Sequence, residues 1–411
     1  MLIRDGRFEK NAGRPNDSGG PFKPGVGSRA SARLCLPAPT HGSRLQAPIN
    51  QSITPSTNPL FSTVCHSPPL TPDPLNPFLP SHIYTVDSLV TLPQFTPSRA
   101  NLKEGPMSLR PVKEIIPTTP TLEGAGVRLQ RAFGFGKTKE FDPFLLLDDF
   151  RNDHPADYLA SFPWHPHRGI ETITYVLAGS VEHGDSLGNK GKMTAGDVQW
   201  MTAGSGILHQ EMPKGDDRGR MHGFQLWANL PSRLKMTDPR YQDIPSSAIP
   251  EVTDDDGTTA RIISGEFWGK RGPVDGVAAD PSYIDISVPP NQRKRLKVET
   301  TRNAFAYVFA GAGTFRDASE PRAVLTESGA DPNAPPVYTG RLDATNHSLV
   351  LFDRGDEIQV QAGPEGIRFL LVSGQPIEEP VAWHGPIVMN TQQELRQAMQ
   401  ELQQGSFIKH R

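Results

Sequence analysis

The chain has 411 residues, enough for two or three domains that each bury a core of their own. Its formal net charge of -3 is close to neutral, so we expect direct binding neither to nucleic acid nor to a membrane surface. No run of about eighteen apolar residues is present, and the charged start MLIRDGRFEKNAGRP lacks the apolar stretch of a secretory signal, so no membrane segment is predicted.

Residues 1–106 differ in composition from the rest of the chain. They hold 17 of the 41 prolines and both cysteines, Cys35 and Cys65. Because proline interrupts helices and strands, we expect a disordered tail rich in Pro, Ser and Thr. Three interpretations stay open: a regulatory tail, an organelle-targeting presequence, or a stretch that precedes natural translation from Met107. Within the tail, only the alternating segment 82–92 has a pattern suited to pairing with a sheet edge.

The globular remainder has no cysteine, which excludes a disulfide framework or a cysteine-ligated zinc site there. A reducing compartment, the nucleus or the cytoplasm, is therefore expected. The run RKRLK at 293–297 resembles a short nuclear-import signal, although a solvated strand edge is the commoner meaning of such a run.

From about Leu122 the sequence predicts short strands separated by frequent turns. The runs PFLLLDDF, GIETITYVLAG, GDVQWMTAG and GFQLWANL are rich in β-branched and aromatic residues and are bounded by Gly, Pro or Asp. The pattern returns after EVTDDDG in YIDISVPP, NAFAYVFAGAGTF, HSLVLFDRGDEIQVQA and IRFLLVSG. Near the end, Thr391 and Glu394 form a capping box before an apolar helical repeat. We predict an all-β architecture of jelly-roll kind with one short C-terminal helix.

The two β regions look like an internal duplication. GIETITYVLAGS matches NAFAYVFAGAG, and TAGDVQWM matches DRGDEIQV. We therefore predict a metal-binding domain at 107–240 and a C-terminal domain at 241–411 that ends in the helix. The second copy has no histidine between Pro281 and His347, so we expect it to lack metal ligands and to serve core formation and shaping of the cleft.

Two motifs of the first copy place potential metal ligands on shared strand faces. WHPHRGIET holds His165 and His167 two residues apart, so both rings project from one face of an extended chain, and Glu171 has the same parity. GSGILHQEM gives His209 and Glu211 the same spacing. Imidazole suits iron, copper, nickel and zinc, and one carboxylate offsets part of the charge of the ion. The pattern predicts one mononuclear site in a barrel mouth.

The remaining histidines of this region have simpler interpretations. We expect His154, His183 and His222 at the surface or beside the ligands, rather than on the metal. A lone His-x-His motif often arises by coincidence. The second motif and the glycines at 179, 196 and 206 make a metal site the better interpretation.

The spacing of these histidines and glycines resembles the two cupin motifs. More narrowly, FDPFLLLDDF, HPHRGIETITYVLAG, GDVQWMTAGSGILHQEMP, FQLWANLP and GPIVMNTQQEL resemble the pirin family, over about residues 122–402. The resemblance implies two cupin domains, each a jelly-roll β-barrel, with one mononuclear iron in the first and other divalent transition metals as alternatives. It implies the ligands His165, His167, His209 and Glu211. Cupins in general would use Glu171 instead of Glu211 as the fourth ligand. We favour Glu211 and expect Glu171 to orient one of the histidine ligands.

The resemblance implies two functions of different kinds. One is an oxidoreductase, a dioxygenase that cleaves flavonols such as quercetin, with Glu211 as a ligand or as the catalytic acceptor of the flavonol hydroxyl proton. The other is a non-enzymatic, iron-dependent nuclear co-regulator whose partner is a transcription factor. A sugar-phosphate isomerase is disfavoured, because no basic cluster accompanies the motifs. We favour the dioxygenase and expect a monomer.

Overall fold

The structure is a computed structural model that describes residues 107–316 and 343–410 in full and gives four further short strands outside those ranges. The predictions of a disordered tail at 1–106 and of a pairing segment at 82–92 fall outside the fully described residues. Within those residues, no helix is long and apolar enough to span a membrane.

The strands of the first half of the chain run in the following order. They are β1 Leu2–Arg4, β2 Arg7–Glu9, β3 Val112–Pro117, β4 Thr119–Glu123, β5 Val127–Phe133, β6 Phe144–Asp149, β7 Phe162–His167, β8 Ile170–Ala178, β9 Ser180–Asp185, β10 Lys190–Thr194, β11 Val198–Thr202, β12 Ile207–Lys214, β13 His222–Asn229 and β14 Arg240–Ile244. Short 3-10 helices lie at Pro155–Asp157, Ser232–Leu234 and Ser246–Ala248.

The second half continues with strands and ends in a helix. The elements are β15 Glu251–Thr253, β16 Thr259–Ser264, β17 Glu266–Phe267, β18 Lys270–Arg271, β19 Ser282–Val288, β20 Arg293–Lys297, β21 Asn303–Arg316, β22 Val324–Thr326, β23 Val337–Thr339, β24 Asp343–Thr345, β25 Ser348–Phe352, β26 Glu357–Gly374, β27 Ala382–His384, β28 Ile387–Met389 and α1 Gln392–Gln404.

Two facing sheets form the first barrel. One has the order β10-β9-β12-β7, and the other has the order β14-β11-β8-β13-β6-β5-β4. The central strand β8 is buried on both faces, and successive side chains alternate between them. Ile173 and Tyr175 point to a core shared with the second barrel, whereas Val176 points to a core inside the first. The strand therefore carries no exposed polar face, which explains its continuous apolar and β-branched sequence.

The second barrel repeats the strand pairing of the first. The order β11-β8-β13-β6 returns as β25-β21-β26-β19, and β20 pairs with the start of β26 as β7 pairs with β12. The sequence match of GIETITYVLAGS to NAFAYVFAGAG agrees with this topology. The match of TAGDVQWM to DRGDEIQV is wrong, because it pairs β11 with the start of β26. In the sheets, β25 corresponds to β11, and the continuous strand β26 corresponds to both β12 and β13.

Both ends of the described chain pack against the barrel that lies farther away in sequence. Strand β3 pairs with β25 of the second barrel, whereas an isolated bridge joins Ile387 of β28 to Arg168 of the first. The division of the chain at residue 240 remains a prediction. RKRLK forms β20, which pairs with β26 alone, and Leu296 is buried in the second core, so the run is an edge strand, the commoner of the two interpretations.

The predicted all-β fold, with two jelly-roll barrels and a short C-terminal helix, is confirmed. Helix α1 begins with the predicted capping box: Thr391 accepts from the amide of Glu394, whose side chain returns to the amide of Thr391. Leu395, Ala398 and Leu402 form its buried face. The helix ends at Gly405, which adopts the left-handed conformation at φ 72°.

Candidate metal centre

The three predicted histidine ligands come together in the structure. His165 and His167 lie on β7, His209 lies on the adjacent strand β12, and His209 is directly opposite His165 in the register. One nitrogen of each ring belongs to a group whose atoms all lie within 4.8 Å of one another. Among the fully described residues, this is the only group of three or more His, Cys, Asp or Glu side chains that converges so closely.

Hydrogen bonds fix which nitrogens of two rings are available. Nδ1 of His165 lies 2.8 Å from the carbonyl oxygen of Pro163, and Nδ1 of His167 lies 3.3 Å from that of Pro386. A carbonyl only accepts, so each Nδ1 carries the proton and each Nε2 presents a lone pair. The two Nε2 atoms are 3.1 Å apart. Two lone pairs this close repel each other unless a cation lies beside both, as in a metal site with bonds of about 2.0–2.1 Å.

His209 gives a second indication that the residues fit a metal ion. Its ring is buried, and neither nitrogen has a hydrogen-bond partner within the described part of the chain. Burial and the two neighbouring histidines hold its pKa well below the ordinary value, so the ring is neutral. The pKa values of His165 and His167 are lowered mainly by burial as well. Three neutral imidazoles are the protonation states that metal binding requires.

Glu211 lies on the same strand as His209 and lines a cavity that His165 and His167 also line. It lies outside the converging histidine group. Its Oε1 is 3.4 Å from Oγ1 of Thr174 and 3.4 Å from Nε2 of Gln225, so both hydrogen bonds are long. Burial raises the pKa of Glu211 to about 7, against the lowering effect of those two partners. A weakly bonded, buried carboxyl near histidines can serve as a ligand or a proton acceptor.

The expectation that Glu171 shares a face with the histidines is wrong. The chain changes sheets at Gly169, so β7 and β8 belong to different sheets and parity is not carried across. Glu171 has the same parity on β8 as Tyr175 and therefore faces the second barrel, where it accepts a 2.8 Å hydrogen bond from Thr202. No hydrogen bond between Glu171 and any histidine is present among the described residues, so Glu171 does not orient one.

Gly169 is required at this change of sheet. Its φ of 76° lies in the left-handed region, and a Cβ there would approach the carbonyl oxygen of Val388 to 1.9 Å. That carbonyl accepts from the buried ammonium of Lys235, which also donates to the Gly169 carbonyl. The C-terminal strand β28 is thus held directly against the turn that follows His167.

His165 and His167 line a cavity of about 420 Å³ with largely apolar walls. Its lining includes Val127, Leu129, Phe150, Phe162 and Met221 of the first barrel, and Pro386, Ile387, Met399 and Leu402 of the C-terminal segment. One polar side is formed by Arg131, which donates to both carboxylate oxygens of Asp148 at 2.8 and 2.7 Å. Burial raises the pKa of Asp148 to about 6, although Arg131 opposes the shift. Size and lining suit a mostly apolar small molecule.

Sequence reasoning missed several residues that shape the centre. Gln225 and Trp227 are two residues apart on β13, so both side chains lie on the face of the strand that lines the cavity. The centroid of the Trp227 ring lies 5.1 Å from that of the His167 ring. Pro386 comes from the other end of the chain, so no local signal could have paired its carbonyl with His167.

The three histidines for which we expected no role as ligands, His154, His183 and His222, lie outside the converging group. His154 is exposed, and His222 is half-buried with Nε2 2.6 Å from Oδ1 of Asp153. His183 is buried, lies opposite Glu211 in the register and is hydrogen-bonded to Gln199 at 2.8 Å. His183 therefore lies beside the candidate ligands, which is one of the two positions that we expected, the other being the protein surface.

The interior of the second barrel offers no comparable donors among the described residues. On the strands that correspond to β7 and β12, Leu296 of β20 and Ile358 and Val360 of β26 belong to the apolar core of this barrel. Phe315 and Phe352 pack beside them. Apolar side chains provide no metal ligand, so this barrel is built as a core.

Two barrels of the same strand order, with converging histidines in only the first, define a bicupin. The family model described as Pirin matches residues 126–228, and the one described as Pirin C-terminal cupin domain matches residues 283–408. The chain belongs to the pirin family.

Relatives of known sequence and structure agree with this assignment. A pirin-like protein of Caulobacter vibrioides is 44% identical over 302 residues, covering 73% of this chain and 100% of the relative. Human pirin is 38% identical over 284 residues, covering 67% of this chain and 87% of the relative. The crystal structure of a quercetin 2,3-dioxygenase from Acinetobacter baumannii has a TM-score of 0.63 and 29% identity, covering 73% of this chain and 99% of the other.

Proposed function

We propose that the chain is a metal-dependent dioxygenase acting on flavonols such as quercetin, with one mononuclear iron held by His165, His167, His209 and Glu211. The observation that carries this proposal is the convergence of three neutral imidazoles, two of which, His165 and His167, line a largely apolar cavity. The similarity to a quercetin 2,3-dioxygenase over 73% of this chain supports the same class of reaction.

The chain itself prepares the site in two ways. The carbonyls of Pro163 and Pro386 hold the Nδ1 protons of His165 and His167, so both Nε2 atoms stay directed at one point. A bound iron would supply Lewis acidity and one-electron chemistry at that point. The apolar walls exclude water from a reacting substrate and present few competing hydrogen-bond partners.

Glu211 has the protonation behaviour that the reaction needs. A flavonol must lose the proton of its 3-hydroxyl to become a good chelator, and Glu211, a cavity carboxyl whose pKa is raised by burial, is suited to accept it. Thr174 and Gln225 hold the carboxyl by long hydrogen bonds, which leaves it free to reorient toward a ligand.

Oxygen uptake after anaerobic loading with Fe(II) tests the proposal. A panel of flavonols should stimulate uptake by the loaded protein, and the matched variant His209→Ala should show none. Loading with other divalent metals under the same conditions identifies which ion supports the reaction. Fully loaded protein that consumes no oxygen with any flavonol would refute the dioxygenase assignment.

A further inference from the structure

Phe135 is an unusually placed aromatic side chain at the mouth of the metal cavity. It lies between Gly134 and Gly136 in the connection from β5 to β6, and 57% of its surface is exposed although it lines the cavity. Flanking glycines give the backbone no local rigidity, and exposure of a large apolar ring is unfavourable. A fixed position for this ring therefore needs another contact.

Trp383 of β27 supplies that contact. Its ring stacks on Phe135 with centroids 3.9 Å apart and an interplanar angle of 29°. The indole nitrogen donates a 2.7 Å hydrogen bond to the carbonyl of Gly385 in the turn of the same hairpin. One face of Phe135 is thus covered by a ring that is itself anchored, and the cavity side of Phe135 stays open.

Aromatic rings continue from this pair to the histidines. The centroid of Trp383 is 6.0 Å from that of Trp227, and Trp227 lies edge-on to His167 at 5.1 Å. Trp227 and Phe135 both line the cavity, one beside the candidate metal ligands and the other at the entrance. Phe135, His165 and His167 line one cavity, so a planar ligand that extends from the histidines to the exposed end of this cavity reaches Phe135 with its outer part.

We propose that the exposed face of Phe135 is the stacking surface for the outer aromatic ring of a planar, metal-chelating ligand, and that Trp383 is the positioning residue that holds it there. Stacked rings attract each other beyond the area they bury, so the surface selects ligands with a second ring over small chelators. This inference rests on the proposed function for the inner end of the ligand and adds the residues that determine specificity at the outer end.

Equilibrium binding without turnover tests the proposal. Protein loaded with Fe(II) under anaerobic conditions, with the metal content of every sample measured, is titrated with 3-hydroxyflavone and with 3-hydroxy-4-pyranone. The pyranone has the same chelating hydroxy-ketone but no aromatic substituent. Phe135→Ala and Trp383→Ala should each raise the Kd for 3-hydroxyflavone by roughly three- to tenfold and change the Kd for the pyranone by less than twofold.

Two control variants make the test specific. Trp383→Phe keeps a ring for stacking and should bind the flavone nearly as the wild type does. Leu159→Ala removes another apolar side chain that is 56% exposed but does not line the cavity, and it should leave both affinities unchanged.

The results separate this inference from the proposed function. Equal weakening of both ligands, or no weakening of either, would overturn the role of Phe135, as would wild-type protein that binds the flavone no better than the pyranone. Flavone binding that depends on Phe135, together with no oxygen uptake, would refute the dioxygenase and leave the stacking surface standing.

Discussion

Tyr175 of the first barrel donates a 2.8 Å hydrogen bond to Oδ2 of Asp285 in the second barrel. Tyr307 occupies the corresponding position in the second barrel and donates to Oδ2 of Asp149 in the first, at 2.7 Å. Each aspartate also binds an arginine through both carboxylate oxygens: Arg368 binds Asp285 and Arg151 binds Asp149. The internal duplication has therefore produced an interface in which the two halves exchange equivalent hydrogen bonds.

This exchange predicts similar effects of two substitutions that are far apart in sequence. Tyr175→Phe and Tyr307→Phe should each lower the free energy of unfolding by roughly 1.5–3 kcal/mol, because each removes a buried hydrogen bond to a charged group. The control Tyr158→Phe loses a 2.8 Å bond to the neutral Gly219 carbonyl and should cost about 1 kcal/mol. Urea unfolding measures all three, and a negligible effect of either interface variant would contradict the prediction.

The apolar interior of the second barrel predicts one metal per chain. Leu296, Ile358 and Val360 belong to its apolar core on the equivalents of the ligand strands and cannot coordinate an ion. Elemental analysis of purified, metal-loaded protein should give close to one equivalent. A reproducible value near two would show that a second site exists.

Substitutions in and near the metal centre should show that Glu211, and not Glu171, contributes to metal binding. His165→Ala and His209→Ala should abolish metal retention, and Glu211→Gln should weaken it by far more than the roughly 10- to 100-fold typical of residues that only orient a ligand. Glu171→Gln should leave metal content unchanged, because Glu171 faces the opposite side of its sheet. Metal analysis after dialysis against a chelator measures retention. Loss of metal in Glu171→Gln but not in Glu211→Gln would restore the general cupin ligand set.

Metal affinity should depend on pH through Glu211. Its raised pKa of about 7 means that below this pH a proton occupies the carboxyl and competes with the ion, whereas above it the carboxylate is free. The lowered pKa values of the three histidines keep them neutral in the same range. We expect affinity to fall up to about tenfold per pH unit below 7. In Glu211→Gln it should be weaker but nearly independent of pH between 6 and 8, as measured by competition with a chelating dye.

Arg168 should be among the residues most sensitive to substitution. Its buried guanidinium donates 2.7 Å hydrogen bonds to the Ser205 carbonyl, to Glu401 and to the Phe407 carbonyl, and it lies 4.1 Å from the centroid of the Phe407 ring. Arg168→Met should lower the free energy of unfolding by roughly 3–5 kcal/mol. Glu401→Gln should cost about 1 kcal/mol, because Arg168 keeps its two carbonyl partners. Chemical denaturation measures both, and equal losses would contradict this account.

Local sequence patterns were sufficient for the elements and for the histidines. Runs rich in β-branched and aromatic residues, bounded by turn residues, predicted β8, β11 and β13. The capping box predicted the start of α1, and His-x-His spacing predicted rings on one strand face. These features depend on neighbours a few residues apart, and such neighbours are visible in the sequence.

Features that depend on how the sheets pack could not be predicted from the sequence. Parity placed Glu171 with His167, but the left-handed turn at Gly169 moves the chain to another sheet and reverses the outcome. The separate strands expected at DEIQVQA and IRFLLVSG are one continuous strand, β26. Strand β21 pairs with both of its halves, whereas β20 pairs only with the first half and β19 only with the second. The contact of Trp383 with Phe135 likewise follows from tertiary packing.

The hydrogen bond from His167 to Pro386 spans 219 positions of the chain. During synthesis the ribosome therefore completes both ligand strands long before it makes the residue that orients one of their histidines. A nascent chain that ends before Pro386 would present His167 with its ring free to adopt either tautomer, and it would lack the C-terminal wall of the cavity. We therefore expect stable uptake of a metal ion to follow the synthesis of Pro386, so that the centre matures only after both of its ligand strands have been made.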